Sequence, residues 1–174
     1  MQAPKMMIIY GGSRSNGNTM KAIKLFDPES KIPLFDLSKL DISFYDYEGK
    51  NQNDDYIKLM EKAVECDTII LSTPIHWYNV SGRMKIFLDR LTDLLYIRQD
   101  LGRKLEGKKV YILVSFGGVR EHLNHFEASF IHICDYMKML YGGCFYYHSG
   151  NNPVDLKKNH DLDKFRERVL KGTI

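Results

Sequence analysis

The feature that most constrains the fold of this chain is a polar, glycine-rich segment at residues 11–19, which reads Gly-Gly-Ser-Arg-Ser-Asn-Gly-Asn-Thr. It follows an apolar run at residues 6–10 and leads into a helix-like stretch. A strand, a glycine-rich loop and a helix start in this order aim main-chain N–H groups at one point, where the helix dipole also favours an anion. The segment therefore predicts a phosphate site at the carboxyl edge of a sheet.

The kind of phosphate ligand is narrowed by what the segment lacks. No Gly-Lys-Ser/Thr closes it, which argues against a triphosphate-binding P-loop, and its glycines do not follow the G-x-G-x-x-G spacing of a dinucleotide-binding turn. A polar turn without any ligand remains the alternative on composition alone. Otherwise the glycines allow close approach of the backbone, while hydroxyls and an arginine bind the anion. The candidate ligands are Gly12, Ser13, Arg14, Ser15, Gly17, Asn18 and Thr19.

Composition argues against several classes of protein. The chain has 174 residues, 44% of them hydrophobic, and we expect residues 1–174 to form a single domain. A net charge of +3 without a long basic run gives no reason to expect nucleic-acid binding. No apolar run approaches the ~20 residues that cross a bilayer, and nothing near the N-terminus resembles a signal peptide. The chain has three scattered cysteines and no C-x-x-C, which predicts neither disulfides nor a zinc site and favours the reducing cytoplasm. Its histidines have no converging ligands, so we expect no metal site.

Strand-like and helix-like patterns alternate along the chain. Strand-like runs occur at residues 5–10, 33–37, 68–72, 109–115 and 144–148. Helical patterns occur at residues 53–65, with Asp54 and Asp55 in the first turn, at 84–95 after a cap at Ser81, at 126–140 and at 162–169. Such alternation predicts an α/β protein with a flavodoxin-like, doubly wound sheet of five parallel strands in the order 2-1-3-4-5, with helices on both faces.

In a sheet of this order, the loops after strands 1, 3 and 4 converge on one pocket, and these are residues 11–19, 73–80 and 116–120. The second loop carries the only tryptophan of the chain, and the third offers open backbone N–H groups. A phosphate cradle, an aromatic wall and a bare glycine turn together predict a site for flavin mononucleotide (FMN). The alternative for Trp77 is that it merely packs its own loop. Further candidate FMN ligands are Pro74, Ile75, His76, Trp77, Tyr78, Ser115, Phe116, Gly117 and Gly118.

These motifs resemble the NAD(P)H-dependent FMN reductase family. The loop at residues 11–19 is similar to the family pattern G-S-x-R-x-x-G-N-T, and residues 72–90 are similar to its second motif, which ends in K-x-f-l-D-R. Two departures stand out. Gly12 occupies the place of the first loop serine, and the segment at residues 42–50 lacks the cysteine cluster of the related iron–sulfur flavoproteins, so it cannot ligate an Fe–S centre through thiolates.

The resemblance implies an FMN-dependent NAD(P)H oxidoreductase that passes electrons to a small acceptor such as free flavin, a quinone, an azo compound or a nitro compound. His76 is then the candidate proton donor, because the reference pKa of histidine lies near neutrality. The resemblance, together with loop aromatics at Phe44, Tyr45, Tyr47 and Tyr96, also implies a homodimer or homotetramer. Two alternatives remain: an FMN-binding electron carrier that does not oxidise NAD(P)H, and a flavin-free binding protein on the same fold.

Overall fold

The computed structural model describes residues 4–149 and 158–174. A sheet of parallel strands forms the centre of the structure. The strands are β1 (Met6–Tyr10), β2 (Leu34–Asp36), β3 (Thr68–His76), β4 (Asn79–Val80), β5 (Lys109–Phe116) and β6 (Leu140–His148). The parallel strands lie in the order β2-β1-β3-β5-β6, and β4 pairs only with β3. Counted without β4, this order confirms the predicted 2-1-3-4-5 topology.

Helices cover both faces of the sheet. They are α1 (Asn18–Phe26), α2 (Tyr56–Ala63), α3 (Gly82–Asp89), α4 (Asp93–Tyr96), α5 (Gln99–Arg103), α6 (Phe126–Tyr136) and α7 (Lys158–Lys171). Along β1, Met7 and Ile9 face the core beneath α2 to α6, whereas Ile8 and Tyr10 face the core beneath α1 and α7. This alternation is what strands buried on both faces require, and it places the β1–α1 loop at the carboxyl edge of the sheet.

Strand β3 is longer than the sequence predicted. The prediction of a loop at residues 73–80 is wrong, because β3 continues its pairing with β5 as far as Pro74, which lies opposite Ser115. Ile75 and His76 then pair antiparallel with Val80 and Asn79 of β4. The predicted loop is therefore a β-hairpin whose turn consists only of residues 77 and 78.

Two predicted helical patterns are also wrong in extent. The apolar stripe at residues 84–95 is not one helix, because α3 ends at Asp89 and a 3₁₀ turn at Arg90–Thr92 precedes α4. Leu140, which we predicted in the fourth helix, begins β6 instead. The chain leaves α6 after Tyr136, and Lys138 turns it back with a φ of 55°. The apolar residues of the 84–95 stripe nevertheless pack into the core, as expected.

Helix starts follow the predicted chemistry more closely. The cap of α3 is confirmed, because the Ser81 hydroxyl accepts a hydrogen bond of 3.2 Å from the Met84 amide. The two acids expected in the first turn of the second helical pattern lie just before α2. There Asp54 accepts from the Tyr56 amide at 2.9 Å and Asp55 accepts from the Asp41 amide at 3.0 Å. These carboxylates therefore stabilise the junction of the long 41–55 segment with α2.

Candidate functional site

The β1–α1 loop ends at a helix start that no side chain caps. The N-cap of α1 is Gly17, in an extended conformation with φ −71° and ψ 172°, and it has no side chain to accept from the first helical amides. Asn18 opens the helix, and the side chains of Ser13, Arg14 and Asn18 are exposed around this point. The first amides of the helix are therefore available to an anion.

The glycines at the start of the loop permit close packing rather than an unusual backbone angle. Neither Gly11 nor Gly12 has a positive φ. A Cβ on Gly11 would lie 2.8 Å from the Cβ of Met84, so the loop can approach α3 only with glycine there. The Ser81 hydroxyl donates to the Gly11 carbonyl at 2.5 Å and joins the start of α3 to the loop. A Cβ on Gly12 would overlap the phenol ring of Tyr10.

The loop borders a cleft of about 730 Å³ at the carboxyl edge of the sheet. None of the side chains that line this cleft is acidic, and two of them, Arg14 and Lys21, are cationic. The local charge therefore favours an anionic ligand. The cleft is lined by Tyr10, Gly12, Ser13, Arg14, Asn16, Gly17, Asn18, Thr19, Lys21, Pro74, Ile75, His76, Ser115, Phe116, Gly117 and Ser149.

A buried hydroxyl pair joins two sides of the cleft. Thr19 and Ser115 are both buried, and their side-chain oxygens lie 2.6 Å apart, in a hydrogen bond in which either can donate. Thr19 therefore ties α1 to the end of β5, a role beyond the phosphate contact that the sequence suggested. The backbone beyond β5 is held by Ser149, whose amide and hydroxyl both donate to the Phe116 carbonyl, at 2.8 and 2.9 Å.

The β3–β4 turn is strained and exposes two aromatic side chains. Trp77 and Tyr78 have φ values of 51° and 64°, in the left-handed region that usually selects Asn-Gly in a two-residue hairpin turn. Each such residue costs on the order of 1–3 kcal/mol. Trp77 is 94% exposed, so burial does not compensate for this strain. Tyr78 contacts the ring of His122, with centroids 6.2 Å apart. A strained, exposed turn beside a cleft is typical of a functional element.

The structure brings most of the candidate ligands together. Twelve of the sixteen line the cleft, whereas Ser15, Trp77, Tyr78 and Gly118 do not. Ser15 lies exposed on the loop, and Gly118 is held beyond the cleft by a 3.2 Å contact between its carbonyl and His148.

Sequence reasoning also missed four lining residues, namely Tyr10, Asn16, Lys21 and Ser149. Lys21 could have been found, because it lies three residues after Asn18 and so shares the face of the helix start. Ser149 follows the edge strand β6, where the sequence offered no motif.

A larger cavity of about 820 Å³ lies away from this site, and none of its lining residues belongs to the cleft. Its wall is formed by the start of β1, the end of α1 and the start of β2, with Met6, Phe26 and Pro33 among the lining residues. It therefore lies at the amino edge of the sheet, whereas ligands of doubly wound sheets bind outside the carboxyl edge. The smaller cleft is the better candidate because it alone of the two contains a helix N-terminus.

In the part of the chain that the structure describes, no group of three or more His, Cys, Asp or Glu side chains is arranged to hold a metal ion. None of the helices in this part of the chain combines the length and apolar character needed to cross a bilayer.

Comparisons with known proteins agree with this geometry. A Bacillus subtilis (strain 168) protein, YwqN, whose name describes an NAD(P)H-dependent FMN-containing oxidoreductase, is 30% identical over 179 aligned positions, which cover 96% of this chain and 97% of that protein. Among solved structures, the Trp repressor binding protein from Bacillus subtilis matches with a TM-score of 0.73 and 26% identity, over 95% of this chain and 97% of that one.

A more distant structure shares the fold alone. An FMN-dependent NADH-azoreductase from Bacillus anthracis, solved in complex with FMN, matches with a TM-score of 0.68 at 11% identity, over 96% of this chain and 99% of that one. The sequence model of NADPH-dependent FMN reductases matches residues 4–152, which include every strand that the structure describes and all residues that line the cleft. The chain belongs to the NADPH-dependent FMN reductase family.

Proposed function

We propose that this chain is an FMN-dependent NAD(P)H oxidoreductase, which accepts a hydride from NAD(P)H and passes two electrons to a small acceptor. The observation that carries the proposal is the uncapped N-terminus of α1, which opens into a cleft lined by two cations and no carboxylate. The family to which the chain belongs supplies the redox chemistry that such a site would support.

The residues present fit FMN rather than a larger flavin nucleotide. One helix start with Ser13, Arg14 and Asn18 can bind one terminal phosphate, and this part of the cleft contains no second glycine-rich turn for a pyrophosphate. The apolar side chains of Ile75 and Phe116 line the same cleft and suit a flat ring system. FMN, when bound, supplies the two-electron redox step, and the protein supplies binding, orientation and electrostatics.

Groups in the cleft and on the adjacent hairpin have separate roles in this proposal. His76 is exposed at the end of β3 and lines the cleft, so its imidazole can donate a proton to an acceptor such as a quinone or an azo compound. Trp77 lies at the tip of the same hairpin, where it can cover a bound ring or contact a partner chain. The amides near Gly117 can offset negative charge on a reduced ring.

Anaerobic mixing of the FMN-loaded protein with NADPH, and separately with NADH, tests the proposal. We expect one of the nucleotides to bleach the flavin absorbance within seconds and air to restore it. An FMN-binding electron carrier would keep its colour with both nucleotides and bleach only with dithionite. A protein that binds no FMN would overturn the proposal and would favour a flavin-free binding role.

The proposal extends to a second copy of the chain. Phe44, Tyr47 and Tyr96 are 74%, 93% and 70% exposed, and they lie together with Tyr45 around a surface cavity near the end of α3. Exposed aromatic groups of this size favour a protein interface. In sedimentation at micromolar concentration, a homodimer would have about twice the chain mass of 20.3 kDa. An active particle of single-chain mass would contradict it.

The extent of the domain, the electron acceptors and the cellular location are further parts of the proposal. We take residues 1–174 as a single FMN-binding domain, with free flavin, quinones, azo compounds and nitro compounds as candidate acceptors. The three cysteines are free thiols, which favours a reducing location such as the cytoplasm. Fractionation of the source cells and a panel of acceptors assayed with each nucleotide would test these points.

A further inference from the structure

A buried tyrosine lies directly beneath the anion-binding loop. Tyr10 ends β1, is 1% exposed and packs in the core between the sheet and α1. Its hydroxyl is the one polar atom of the side chain, and it donates a hydrogen bond of 2.8 Å to the Arg14 carbonyl. Burial raises the pKa of Tyr10, so the hydroxyl stays protonated and donates at neutral pH. Tyr10 also lines the cleft, although no motif in the sequence selected it.

The Arg14 carbonyl is held by two donors. Besides the Tyr10 hydroxyl, the Gly17 amide donates to it at 3.1 Å and closes the turn that leads into α1. A carbonyl oxygen has two lone pairs, and both are occupied here. Because the Arg14 carbonyl oxygen points at these two donors, it does not face a bound anion. The same two hydrogen bonds fix the turn that precedes α1.

Tyr10 and Gly12 are sterically coupled. A Cβ on Gly12 would overlap the Tyr10 hydroxyl and ring carbons, and the ring cannot swing away easily because it is buried. The family pattern that the loop resembles has a serine at this position. A chain with Tyr10 in this place cannot carry that serine, so the buried tyrosine accounts for the glycine at position 12.

We propose that Tyr10 is the positioning residue of the phosphate site and that it orders, from beneath, a loop in which Gly12 offers no hydroxyl. This inference rests on the proposed function, because the ligand is the phosphate monoester of FMN. Tyr10 acts through Arg14 and the turn, so the phosphate is bound by a main chain that is already ordered. Affinity gained in this way depends on the phosphate and not on the flavin ring.

The experiment compares the affinities for FMN and for riboflavin, which lacks the phosphate, by quenching of flavin fluorescence. In wild-type protein we expect FMN to bind at least tenfold more tightly than riboflavin. Tyr10→Phe removes one hydroxyl and should weaken FMN binding about 5- to 20-fold, the loss expected for one hydrogen bond, while riboflavin binding changes less than about twofold.

Tyr111→Phe is the matched control. Tyr111 is also fully buried on the same face of the sheet, and its hydroxyl also donates to a carbonyl at 2.8 Å, that of Thr173. The Tyr111→Phe variant should lower the melting temperature about as much as Tyr10→Phe does. It should not change the ratio of the affinity for FMN to the affinity for riboflavin. A Tyr10→Phe variant that leaves this ratio unchanged would overturn the inference, because Tyr10 would then have only a structural role.

A double variant tests the coupling. Gly12→Ser alone should weaken FMN binding more than tenfold because its side chain collides with the ring. Tyr10→Leu combined with Gly12→Ser frees space and restores a loop hydroxyl, so it should bind FMN more tightly than Gly12→Ser does. Binding no better than that of Gly12→Ser would refute the coupling. Equal wild-type affinities for FMN and riboflavin would instead refute the phosphate site itself, and with it the proposed function.

Discussion

Replacement of Arg90 by methionine should destabilise the protein more than any other single charge change that we consider. Arg90 is fully buried at the 3₁₀ turn between α3 and α4, and its Nε donates to Asp93 at 2.6 Å. Its Nη atoms form an ion pair with Asp54 and donate to the carbonyls of Ser43 and Asn51, each at 3.0 Å. One guanidinium therefore attaches the 41–55 segment to α3 and α4 and neutralises buried carboxylates.

The magnitude follows from what the variant leaves behind. The side chains of Asp54 and Asp93 are 5% and 2% exposed, so both would remain as buried carboxylates without a cation. Removal of one partner of a buried ion pair costs about 3–5 kcal/mol. For a chain of this length each kcal/mol lowers the melting temperature by roughly 2–4 °C, so we expect a drop of about 6–20 °C.

Urea unfolding and thermal melting would measure this loss, and limited proteolysis within residues 41–55 would show whether the segment loosens first. Lys85→Met is the matched control on the preceding helix α3, because the pair of Lys85 with Asp89 is exposed and such pairs contribute below about 1 kcal/mol. Addition of Asp54→Asn and Asp93→Asn to Arg90→Met should recover at least half of the loss. A cost below about 1 kcal/mol for Arg90→Met would refute this reasoning.

Three further predictions concern the site and the core. Trp77→Ala should slow NAD(P)H oxidation without lowering the melting temperature appreciably, and an unchanged rate would exclude the turn from function. Trp77→Asn combined with Tyr78→Gly should raise the free energy of unfolding by about 1–2 kcal/mol, because Asn-Gly adopts this turn without strain. Arg14→Ala should weaken FMN binding about 10- to 100-fold by the loss of charged hydrogen bonds, with Lys24→Ala as an exposed control on α1 that changes it little. Burial raises the pKa of Cys134 to about 12, so the folded thiol retains its proton where the unfolded one, near pKa 8.5, loses it. Stability is therefore complete below about pH 8.5 and should decline as the pH rises towards 12, which melting temperatures from pH 7 to 11 would show; Cys134→Val should flatten that decline.

The topology could be predicted because it depends on local patterns. Buried parallel strands read as continuous apolar runs, and α-helices of moderate length show a 3.6-residue repeat. Element ends were less predictable because they depend on neighbours. Strand β3 extends to His76 since β5 and β4 offer partners there, and α6 ends at Tyr136 although Leu140 continues its spacing. No pattern within a single segment contains this information.

The same distinction holds for the site. The loop at residues 11–19 was found because its helix-start chemistry is contiguous in the sequence. Tyr10 and the pairing of Thr19 with Ser115 were missed because their contacts join distant or buried groups that carry no motif. In the sequence, Arg90 was noted only as the last residue of the second family motif. Its role comes from carboxylates on separate elements, which only the folded chain brings together.

The distribution of backbone strain separates the two halves of the site. The anion loop is unstrained: its glycines have ordinary φ values and serve for close packing, and its turn is fixed by two hydrogen bonds to one carbonyl. The hairpin tip is the opposite, because Trp77 and Tyr78 are left-handed without burial to compensate. A loop that must only bind a phosphate gains affinity from being ordered beforehand. Two aromatic residues whose backbone strain costs stability are best explained by a contact that their side chains make with another molecule. This favours the hairpin tip as the part of the site that contacts the nicotinamide, the acceptor or a second chain.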